Sequence, residues 1–422
     1  MGITKKTVRD IALAGKRVIM RVDFNVPLKD GCIQDDTRIT AALPTIKYVL
    51  EQKAASLVLM SHLGDPKKDM AKAKEKAEKD GKPFDEKKYI EGKHKMAPIA
   101  AHLAKLLGKP VKLAPDCLGD ETKSMVAGLK AGEVLLLENT RFHKEETSKD
   151  PAEREKMAKA LASYGDVFVN DAFGTAHRAH ASTETIAHYL PAVAGFLMEK
   201  EIEFLNDKVL KNSAKPFVAV IGGAKVSSKI AVLESLLSKV DKLIVGGGMA
   251  YTFLKAQGVS VGKSLVEDDQ IETAKKILAA AQAKKVTLLL PIDHVMGKEF
   301  AAETEAKNSN GAAIEDGWLG MDIGPATVKN FKDALAGAKT VFWNGPMGVF
   351  EFPKYAAGTT AIATTLANLP GAITVIGGGD SVSAVKKAGV AAKMSHISTG
   401  GGASLELVEG KELPGIKALN DK

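Results

Sequence analysis

Four short glycine runs in the second half of the sequence could let a ligand approach the backbone closely. They are "IGGAK" at Gly222–Gly223, "VGGGM" at Gly246–Gly248, "IGGGDS" at Gly377–Gly379 and "TGGGAS" at Gly400–Gly402. The first three directly follow a run rich in Val and Ile, as expected where a strand leads into a helix. A helix that begins at such a turn directs unpaired N–H groups and the positive end of its dipole toward it. We therefore predict a phosphate-bearing ligand in this half.

The first half places polar and basic residues after its strand-like runs. Side chains alternate across the strand-like run "RVIMRVDFNVP", so Arg21, Asp23 and Asn25 share one face at its end. Further candidates follow this run or end other strand-like runs: Arg38, His62, Arg141 and Arg178. The planar guanidinium group of arginine matches carboxylate and phosphate groups. If the fold gathers these residues, they would form a basic pocket for a small anion.

Strand-like and helix-like runs alternate along the whole chain. Five strand-like runs occupy the first half, from "RVIMRVDFNV" to "DVFVND", and five more occupy the second, from "PFVAVIG" to "AITVIG". Helical patterns such as "MAPIAAHLAKLLG" lie between them. This alternation predicts an α/β protein with parallel sheets covered by helices on both faces. Ten strands suit two sheets better than one, and ligands of such sheets bind at the carboxyl ends of the strands.

A divide between two lobes is predicted near residue 190. The segment "STETIAHYLPAVAGFLMEKEIEFLNDKVL" contains a proline break and then a long amphipathic pattern. The pattern predicts a helix that joins the two lobes.

Composition narrows the class of protein. The 422 residues carry a net charge of +8, which favours anionic partners. Aromatic residues make up 5% and none interleave with a basic run, so we expect no nucleic-acid partner. We expect no membrane partner, because no apolar run is long enough to span a bilayer. No signal peptide is recognised. The two cysteines suggest neither a disulfide framework nor a metal cluster, so we expect a cytoplasmic location.

Ten motifs occur in an order that identifies a family. They are "RVDFNVP", "SHLG", "LENTRF", "NDAFGTAHRAHAS", "GGAKVSSKI", "GGGMAYTFLK", "DGWLGMDIGP", "WNGPMGVFE", "GGGDS" and "STGGGASLELVEGKELPG". Together they resemble phosphoglycerate kinase over nearly the whole chain. The resemblance implies a two-lobed monomeric enzyme that closes about a hinge. It also implies a glycolytic reaction that uses Mg²⁺ and transfers a phosphoryl group reversibly between 1,3-bisphosphoglycerate and ADP, with 3-phosphoglycerate and ATP as the other pair.

The resemblance assigns a role to each lobe. Residues 1–190 would bind 3-phosphoglycerate, and residues 191–407 would bind the nucleotide. The tail, residues 408–422, would pack back on the first lobe.

The resemblance also assigns site residues. The acid substrate would be held by Arg21, Asp23, Asn25, Arg38, His62, Arg141 and Arg178. The nucleotide would be held by Gly223, Lys225, Lys229, Gly246, Gly247, Gly248, Gly320, Met321, Asn344, Pro346, Glu351, Gly378, Gly379, Asp380 and Ser381. Within that set, Glu351 would bond the ribose hydroxyls and Asp380 would hold Mg²⁺. The charge on the transferred group would be neutralised by Arg38, Lys229 and the N–H groups of Gly400 and Gly401.

The chemistry needs no general base, because the nucleophile would be a carboxylate that is ionised near pH 7. Catalysis would then rest on positioning and on charge stabilisation. Two other functions stay open. Another kinase that forms acyl phosphates would share Lys229 and Asp380 but would not need so many arginines in the first lobe. A two-lobed protein that only binds a small molecule would need neither Lys229 nor Asp380.

One position departs from the family pattern, which usually reads "SHLGRP" where this chain reads "SHLGDP" with Asp65. A carboxylate about 5 Å from the substrate phosphate would repel each negative charge by roughly 3 kcal/mol at an effective dielectric of 20. We therefore predict that Asp65 points away from the phosphate. Lys67 or Lys68 would replace the missing charge, or the site tolerates its loss, or Asp65 caps a helix. The lysine-rich segment 65–95 that follows is interpreted as a solvated helix or a surface insertion.

Overall fold

The computed structural model describes residues 4–422, which form two compact units. The first unit comprises the chain up to Ile202 together with Glu412–Lys422, and the second comprises Glu203–Lys411. The predicted divide lay about twelve residues earlier. The difference arises because residues 192–194 form an additional strand of the first sheet. A run of only three residues after a proline is too short for its pattern to predict a strand. Within the described range, no helix is both long and apolar enough to cross a bilayer.

A parallel sheet forms the centre of the first unit. The strands of this unit are β1 (Arg17–Arg21), β2 (Leu28–Lys29), β3 (Cys32–Ile33), β4 (Ser56–Met60), β5 (Val111–Leu113), β6 (Val134–Leu136), β7 (Val167–Asn170) and β8 (Ala192–Ala194). Strands β2 and β3 form a separate hairpin. The other six pair in the order β5-β6-β4-β1-β7-β8. All five runs predicted in this half are therefore strands.

Helices flank this sheet. They are α1 (Thr37–Glu51), α2 (Pro66–Lys79), α3 (Glu86–Lys93), α4 (Ala97–Leu107), α5 (Asp120–Ala127), α6 (Pro151–Ala162) and α7 (Phe196–Glu201), with single 3₁₀ turns at Thr140–Phe142, Lys144–Thr147, Phe173–Thr175 and Thr185–His188. Helix α4 shows the amphipathic pattern and the glycine end from which a helix is predicted in a sequence. Its buried residues Ile99, Ala100 and Leu103 lie on one face, and it ends at Gly108, which adopts the left-handed φ of 66°.

The core of the first unit forms on the strand face that the alternation predicted. Val18, Met20 and Val22 are fully buried in one cluster with Ile46 of α1 and Leu103 of α4. Removing each such side chain from water contributes about 1.5–3 kcal/mol. The opposite face is buried as well, as expected for a parallel sheet. This packing fixes β1, whose last residue is Arg21.

A helical stretch links the two units. Helix α7 continues directly into a π-helical segment, Ile202–Lys211. Its start is fixed because Asp171 Oδ1 accepts hydrogen bonds from the N–H groups of Leu197 and Met198, at 2.9 and 3.2 Å. The tail belongs to the first unit from Glu412 onward, four residues later than predicted, and Gly415 N donates to the Ala176 carbonyl oxygen at 2.8 Å.

A second parallel sheet forms the centre of the second unit. The strands here are β9 (Phe217–Ile221), β10 (Lys242–Val245), β11 (Thr287–Leu289), β12 (His294–Gly297), β13 (Ala306–Asn308), β14 (Leu319–Ile323), β15 (Thr340–Asn344), β16 (Ile373–Gly377) and β17 (His396–Ile397). The parallel order is β11-β10-β9-β15-β16-β17. Strands β12–β14 form a small antiparallel sheet that was not predicted, because two of them lack an apolar run.

Helices also flank the second sheet. They are α8 (Ile230–Leu236), α9 (Met249–Ala256), α10 (Ile271–Ala283), α11 (Pro325–Leu335), α12 (Ala357–Ala367), α13 (Gly379–Lys387) and α14 (Gly402–Val408), followed in the tail by α15 (Pro414–Lys417), with 3₁₀ turns at Asp268–Gln270, Pro353–Tyr355 and Ala391–Lys393. Val220, Trp343 and Ile376 from three adjacent strands pack with Phe331 and Ile362. The core thus fixes β9, β15 and β16 beside one another.

Candidate active site

Neighbouring strands of the first sheet bring the predicted basic residues to one place. Arg21 ends β1, His62 lies just after β4, and Arg141 lies in the 3₁₀ turn after β6. Burial lowers the pKa of Arg141, and the nearby charges of Arg178 and Arg21 lower it further. The guanidinium groups therefore belong to one cluster, which we call the acid-site cluster: Arg21, Asp23, Asn25, Arg38, His62, Arg141 and Arg178.

Arg21 is completely buried and has defined partners. Its Nε donates to Ser182 Oγ at 2.8 Å, and its Nη1 donates to the Val22 carbonyl oxygen. Its Nη2 lies 4.0 Å from Oε1 of Glu146, a carboxylate that is also fully buried. Glu146 in turn accepts hydrogen bonds from both the hydroxyl and the N–H of Ser182. Arg21 is thus held by a buried counterion, and breaking such a pair would leave an uncompensated charge.

The proton on His62 can be assigned from its partner. Arg21 Nη2 lies 3.2 Å from His62 Nδ1, and a guanidinium group can only donate. His62 Nδ1 is therefore the acceptor, and the ring carries its proton on Nε2. Burial lowers the pKa of His62 well below its usual value, and the charge of Arg21 lowers it further. His62 is consequently a neutral hydrogen-bond donor at pH 7.

Asp23 and Asn25 shape the other side of the acid-site cluster. Arg38 Nη1 lies 3.2 Å from Asp23 Oδ2 and donates to the Asn25 carbonyl oxygen at 3.0 Å. Asn25 Oδ1 accepts a hydrogen bond from Gly64 N at 2.8 Å. These two residues therefore orient Arg38 and the "SHLG" loop.

The loop after β4 is also held from β6. Asn139 Oδ1 accepts from Leu63 N at 3.1 Å, and Asn139 Nδ2 donates to the Leu63 carbonyl oxygen at 2.8 Å. Arg141 Nη1 donates to the Gly64 carbonyl oxygen at 2.7 Å. Gly64 has a φ of +63°, and a Cβ there would lie 2.7 Å from His94. No other residue type fits that position without displacing His94.

Four residues that contact or neighbour the acid-site cluster were not selected for this site from the sequence: Asn139, Glu146, His180 and Ser182. The pKa of His180 is lowered to about 3 by burial and then by the charges of Arg141 and Arg21, so its ring is neutral beside them. A buried Glu146 gave no signal, because it lies in the polar stretch "FHKEETSKD". Only the contact with Arg21 distinguishes it.

Asp65 caps a helix. It is the residue before α2, and its Oδ1 accepts a hydrogen bond from Lys68 N at 3.2 Å. Its own N–H donates to Asp69 Oδ2 at 3.0 Å. The cap was one of the explanations raised for this departure from the family pattern. Helices α2 and α3 occupy most of the lysine-rich segment and are largely exposed, as predicted for a solvated insertion.

The second unit contains a cavity of about 490 Å³. Most of the residues assigned to the nucleotide line it. Those residues are Gly223, Lys225, Lys229, Asn344, Pro346, Gly378, Gly379, Asp380 and Ser381, and Gly401, which was assigned to the transferred group, lines the cavity as well. Asn344 ends β15 and Gly378 follows β16, so the cavity lies at the carboxyl edge of the sheet, as predicted.

Unlike charges line this cavity. Lys229 Nζ donates to Asn344 Oδ1 at 2.5 Å. Burial lowers the pKa of Lys229, and the negative charges of Asp380 and Glu409 oppose that shift. Asn344 Nδ2 is buried and, among the described residues, has no hydrogen-bond partner. The cavity therefore offers a cation and a free amide donor to an anion, and a carboxylate to a cation.

The glycine runs serve two different purposes. A Cβ at Gly222 would lie 2.1 Å from the Pro346 carbonyl oxygen, and one at Gly247 would lie 2.7 Å from Gly223 N. These positions are glycine because neighbouring backbones pack against them. A Cβ at Gly379 or Gly401 would meet nothing within 4 Å. Gly379 and Gly401 therefore face open space in the cavity, and three of the four glycine runs contribute residues to its lining.

Other predicted nucleotide residues do not line the cavity: Gly246, Gly247, Gly248, Gly320, Met321 and Glu351. Gly320 is in contact with Tyr251, whose hydroxyl would lie 2.0 Å from a Cβ there. Met321 is buried, whereas Glu351 is exposed. Gly248 approaches Leu265, which is 49% exposed and was not selected from the sequence.

The Gly400 N–H, which was predicted to stabilise the transferred group, has a partner within the protein. It donates to Ser398 Oγ at 3.1 Å, and a ligand would have to displace this hydrogen bond. Ser381 Oγ is likewise engaged, since it accepts a hydrogen bond from Gly345 N at 2.6 Å. Gly401 and Gly402 still line the cavity.

Comparison with known proteins agrees with this architecture. The phosphoglycerate kinase family profile matches residues 8–411. The chloroplastic phosphoglycerate kinase of Volvox carteri is 56% identical, with 99% of this chain and 87% of the relative covered. The cytosolic phosphoglycerate kinase of Triticum aestivum is 55% identical, with 98% of each covered. The solved phosphoglycerate kinase of Coxiella burnetii is 40% identical, covers 98% of both chains and superimposes with a TM-score of 0.82. The chain therefore belongs to the phosphoglycerate kinase family, the phosphotransferases that act on phosphoglycerate in glycolysis.

Proposed function

We propose that the first unit binds 3-phosphoglycerate or 1,3-bisphosphoglycerate and that the second unit binds ATP or ADP with Mg²⁺. The acid-site cluster supports the first assignment, because it supplies four guanidinium groups to a small, highly charged acid. The cavity of the second unit supports the other assignment, because lysine and amide donors there suit phosphate groups.

Within the acid-site cluster, the roles follow from the contacts. Arg21 is fixed by Glu146 and Ser182, so its charge is oriented before substrate binds. His62 presents Nε2–H as a neutral donor, which suits a carboxylate or hydroxyl oxygen. Arg178 is exposed and has the freedom to follow a ligand. We propose that Arg21 and His62 set the position of the acid, and that Arg141 and Arg178 neutralise its phosphate.

Within the cavity, we propose that Lys229, Lys225 and Asn344 bind the nucleotide phosphates. Asp380 would hold Mg²⁺, because a carboxylate oxygen at the edge of a phosphate site is a ligand that Mg²⁺ prefers. When bound, the ion neutralises charge on the phosphate oxygens. Glu351 and the glycines at 246–248 would contact the nucleoside. These assignments rest on the resemblance and on the position of the cavity.

The transfer itself requires little covalent chemistry from the protein. A carboxylate attacks the terminal phosphoryl group, and charge develops on its oxygens. Arg38 and Lys229 carry the charges that would stabilise these oxygens. Burial lowers the pKa of Lys229, and the negative charge of nearby Asp380 opposes this shift. Because the two substrates are assigned to different units, we propose that the units close before transfer and exclude water.

The observation that carries this proposal is the acid-site cluster, in which the charges of Arg178 and Arg21 lie close enough to Arg141 to lower its pKa. A coupled assay with 3-phosphoglycerate, ATP and Mg²⁺ tests it directly, and chelation of Mg²⁺ should abolish turnover. A panel of other carboxylic acids should not replace 3-phosphoglycerate. Phosphorylation of several unrelated acids at similar rates would favour the more general acyl-phosphate kinase instead.

A matched pair of arginine variants tests the binding role. Arg178 and Arg17 are both exposed, but Arg17 lies at the opposite end of β1 from Arg21 and pairs with Asp166 at 2.7 Å. Arg178→Ala should raise the KM for 3-phosphoglycerate about 10–100-fold, the value of a lost charged hydrogen bond. Arg17→Ala should leave that KM unchanged, because an exposed pair contributes little. Equal effects in the two variants would contradict a specific site.

We further propose that the protein acts as a cytoplasmic monomer. The two cysteines, Cys32 and Cys117, are free thiols, which suits a reducing compartment. The relatives include both a cytosolic and a chloroplastic protein, so location is best tested by imaging of the tagged chain. Light scattering during gel filtration would test the monomer, which has a mass of 44.6 kDa.

A further inference from the structure

Three side chains of different chemistry meet in the first unit, outside the acid-site cluster. Asp116 and Cys117 lie in the loop between β5 and α5, and His143 follows the 3₁₀ turn Thr140–Phe142. A carboxylate oxygen, the thiol sulfur and an imidazole nitrogen all lie within 4.8 Å of one another. We call these residues the Cys117 cluster. In the sequence, 26 positions separate Cys117 from His143, so no motif signalled it.

The Cys117 cluster is held in place and is open on one side. His143 Nε2 lies 2.6 Å from Asp116 Oδ1, which also accepts a hydrogen bond from Cys117 N at 2.6 Å. The Cys117 side chain is fully buried, whereas the side chains of His143 and Asp116 are 24% and 48% exposed. A small ion could therefore reach the thiol from solvent between the imidazole and the carboxylate.

A polar group without a partner lies near the cluster. The Tyr164 hydroxyl is buried and has no hydrogen-bond partner anywhere in residues 4–422. Burial and, to a smaller extent, the nearby Cys117 and Asp116 raise the pKa of Tyr164 to about 12. Tyr164 is therefore a neutral donor close to the cluster. A buried donor of this kind normally finds a protein or water partner.

We propose that Asp116, Cys117 and His143 bind a divalent cation that prefers thiolate, such as Zn²⁺, with water as the fourth ligand. One sulfur, one imidazole nitrogen and one carboxylate oxygen are the donor types that tetrahedral Zn²⁺ accepts. Mg²⁺ requires six oxygen ligands and would not use this set. The proposed ion is therefore distinct in chemistry from the Mg²⁺ assigned to Asp380.

The protons can be followed when the ion binds. The Cys117 thiol loses its proton to water, since only the thiolate is a metal ligand. Without the ion, His143 donates Nε2–H to Asp116. When the ion binds, the ring must carry its proton on Nδ1 instead, so that the Nε2 lone pair is free for the metal. With bonds of about 2.0–2.1 Å, tetrahedral geometry separates nitrogen and oxygen by about 3.3 Å. The His143 and Asp116 atoms would thus move apart by less than 1 Å.

The site adjoins residues of the proposed function. His143 lies between Arg141 and Glu146 in the chain, and Glu146 holds Arg21. Movement of His143 should therefore disturb the acid-site cluster and raise the KM for 3-phosphoglycerate, while the nucleotide KM stays the same. This consequence rests on the proposed function, whereas binding of the ion does not.

Titration of the reduced full-length protein with Co²⁺ tests the binding. We include excess Mg²⁺ to occupy sites for hard cations. A thiolate-to-cobalt charge-transfer band in the near ultraviolet, with visible bands of tetrahedral Co²⁺, is expected. Zn²⁺ should remove both, because it competes for the same ligands. Absence of the charge-transfer band at saturating Co²⁺ would overturn the proposal.

Variants identify the ligands. Cys117→Ser should abolish the charge-transfer band, and His143→Gln should weaken Co²⁺ binding at least tenfold while leaving the fold intact, since His143 is partly exposed. Cys32→Ser is the matched control, because Cys32 is the exposed cysteine and should not affect the band. A band that survives in Cys117→Ser, or disappears in Cys32→Ser, would refute the assignment. A normal band without any change in KM would refute only the link to the acid-site cluster.

Discussion

Replacing Asp65 separates the two roles that a carboxylate could have at this position. In the structure, Asp65 caps α2 through Lys68 N at 3.2 Å. Asp65→Ser retains a capping oxygen and removes the charge, because serine and aspartate cap helices about equally well. Asp65→Ala removes both. The alanine variant should therefore lose helix stability, and the two variants should bind 3-phosphoglycerate alike.

The expected magnitudes are small for a capping residue and large for a residue that faces the phosphate. Loss of the cap costs about 1 kcal/mol, roughly a fivefold increase in the local opening of α2. If Asp65 points away, at about 10 Å through water, its repulsion of each phosphate charge is about 0.4 kcal/mol. Removing that charge should change the KM by less than tenfold. If Asp65 instead faced the phosphate at about 5 Å, removal would tighten binding by several powers of ten.

Hydrogen exchange over residues 66–79 and steady-state kinetics measure the two effects. Asp85 offers a matched control, since it caps α3 through Lys88 N at 3.0 Å. Asp85→Ala should accelerate exchange in α3 without changing the KM for 3-phosphoglycerate. A more than hundredfold tighter KM in Asp65→Ser would refute the proposed orientation. Unchanged exchange in Asp65→Ala would refute the cap.

Three further predictions concern the second unit and the pair of units. Lys229→Ala should lower kcat with little change in the nucleotide KM, because Lys229 is proposed to stabilise charge that develops in the transition state; an unchanged kcat would remove it from the mechanism. Burial lowers the pKa of His294 to about 4 from 6.5, so the folded state resists protonation. Its contribution to stability is complete above pH 6.5 and is lost as pH falls toward 4. The free energy of unfolding, measured with urea and compared with that of His294→Gln, should therefore decrease by about 1.4 kcal/mol for each pH unit that the pH falls within that window. Parallel pH profiles of the two proteins would contradict this. Small-angle scattering should give a smaller radius of gyration with both substrates than with one or neither, and identical values in all four states would count against closure.

The fold class was readable because long strands in parallel sheets are continuous apolar runs between amphipathic helices. Every strand-like run that was predicted is a strand. The strands that were not predicted are β2, β3, β8, β17 and those of the small antiparallel sheet β12–β14, and each has two to five residues. Such short strands carry too few residues for a periodic pattern, and pairing with a neighbour decides whether they form.

The residues of the acid-site cluster were predicted individually, because each follows a strand in a basic or polar motif. The residues that hold them in place were not predicted. Glu146 and Ser182 are ordinary polar residues in the sequence, and they acquire a role only because they are buried against Arg21. The neutral state and tautomer of His62 likewise follow from Arg21 Nη2, a contact between residues 41 positions apart.

The sequence by itself determined that this chain is a two-part α/β kinase with basic residues and glycine turns at the carboxyl ends of its strands. Local patterns suffice for this, since strand runs, helix faces and motifs are encoded by neighbouring residues. Only the tertiary structure decided what each glycine and each carboxylate does. Gly222 and Gly247 are packed by backbone from other strands, whereas Gly379 and Gly401 face the cavity. Packing between distant segments sets these differences, because burial and close approach depend on residues that sequence spacing does not relate.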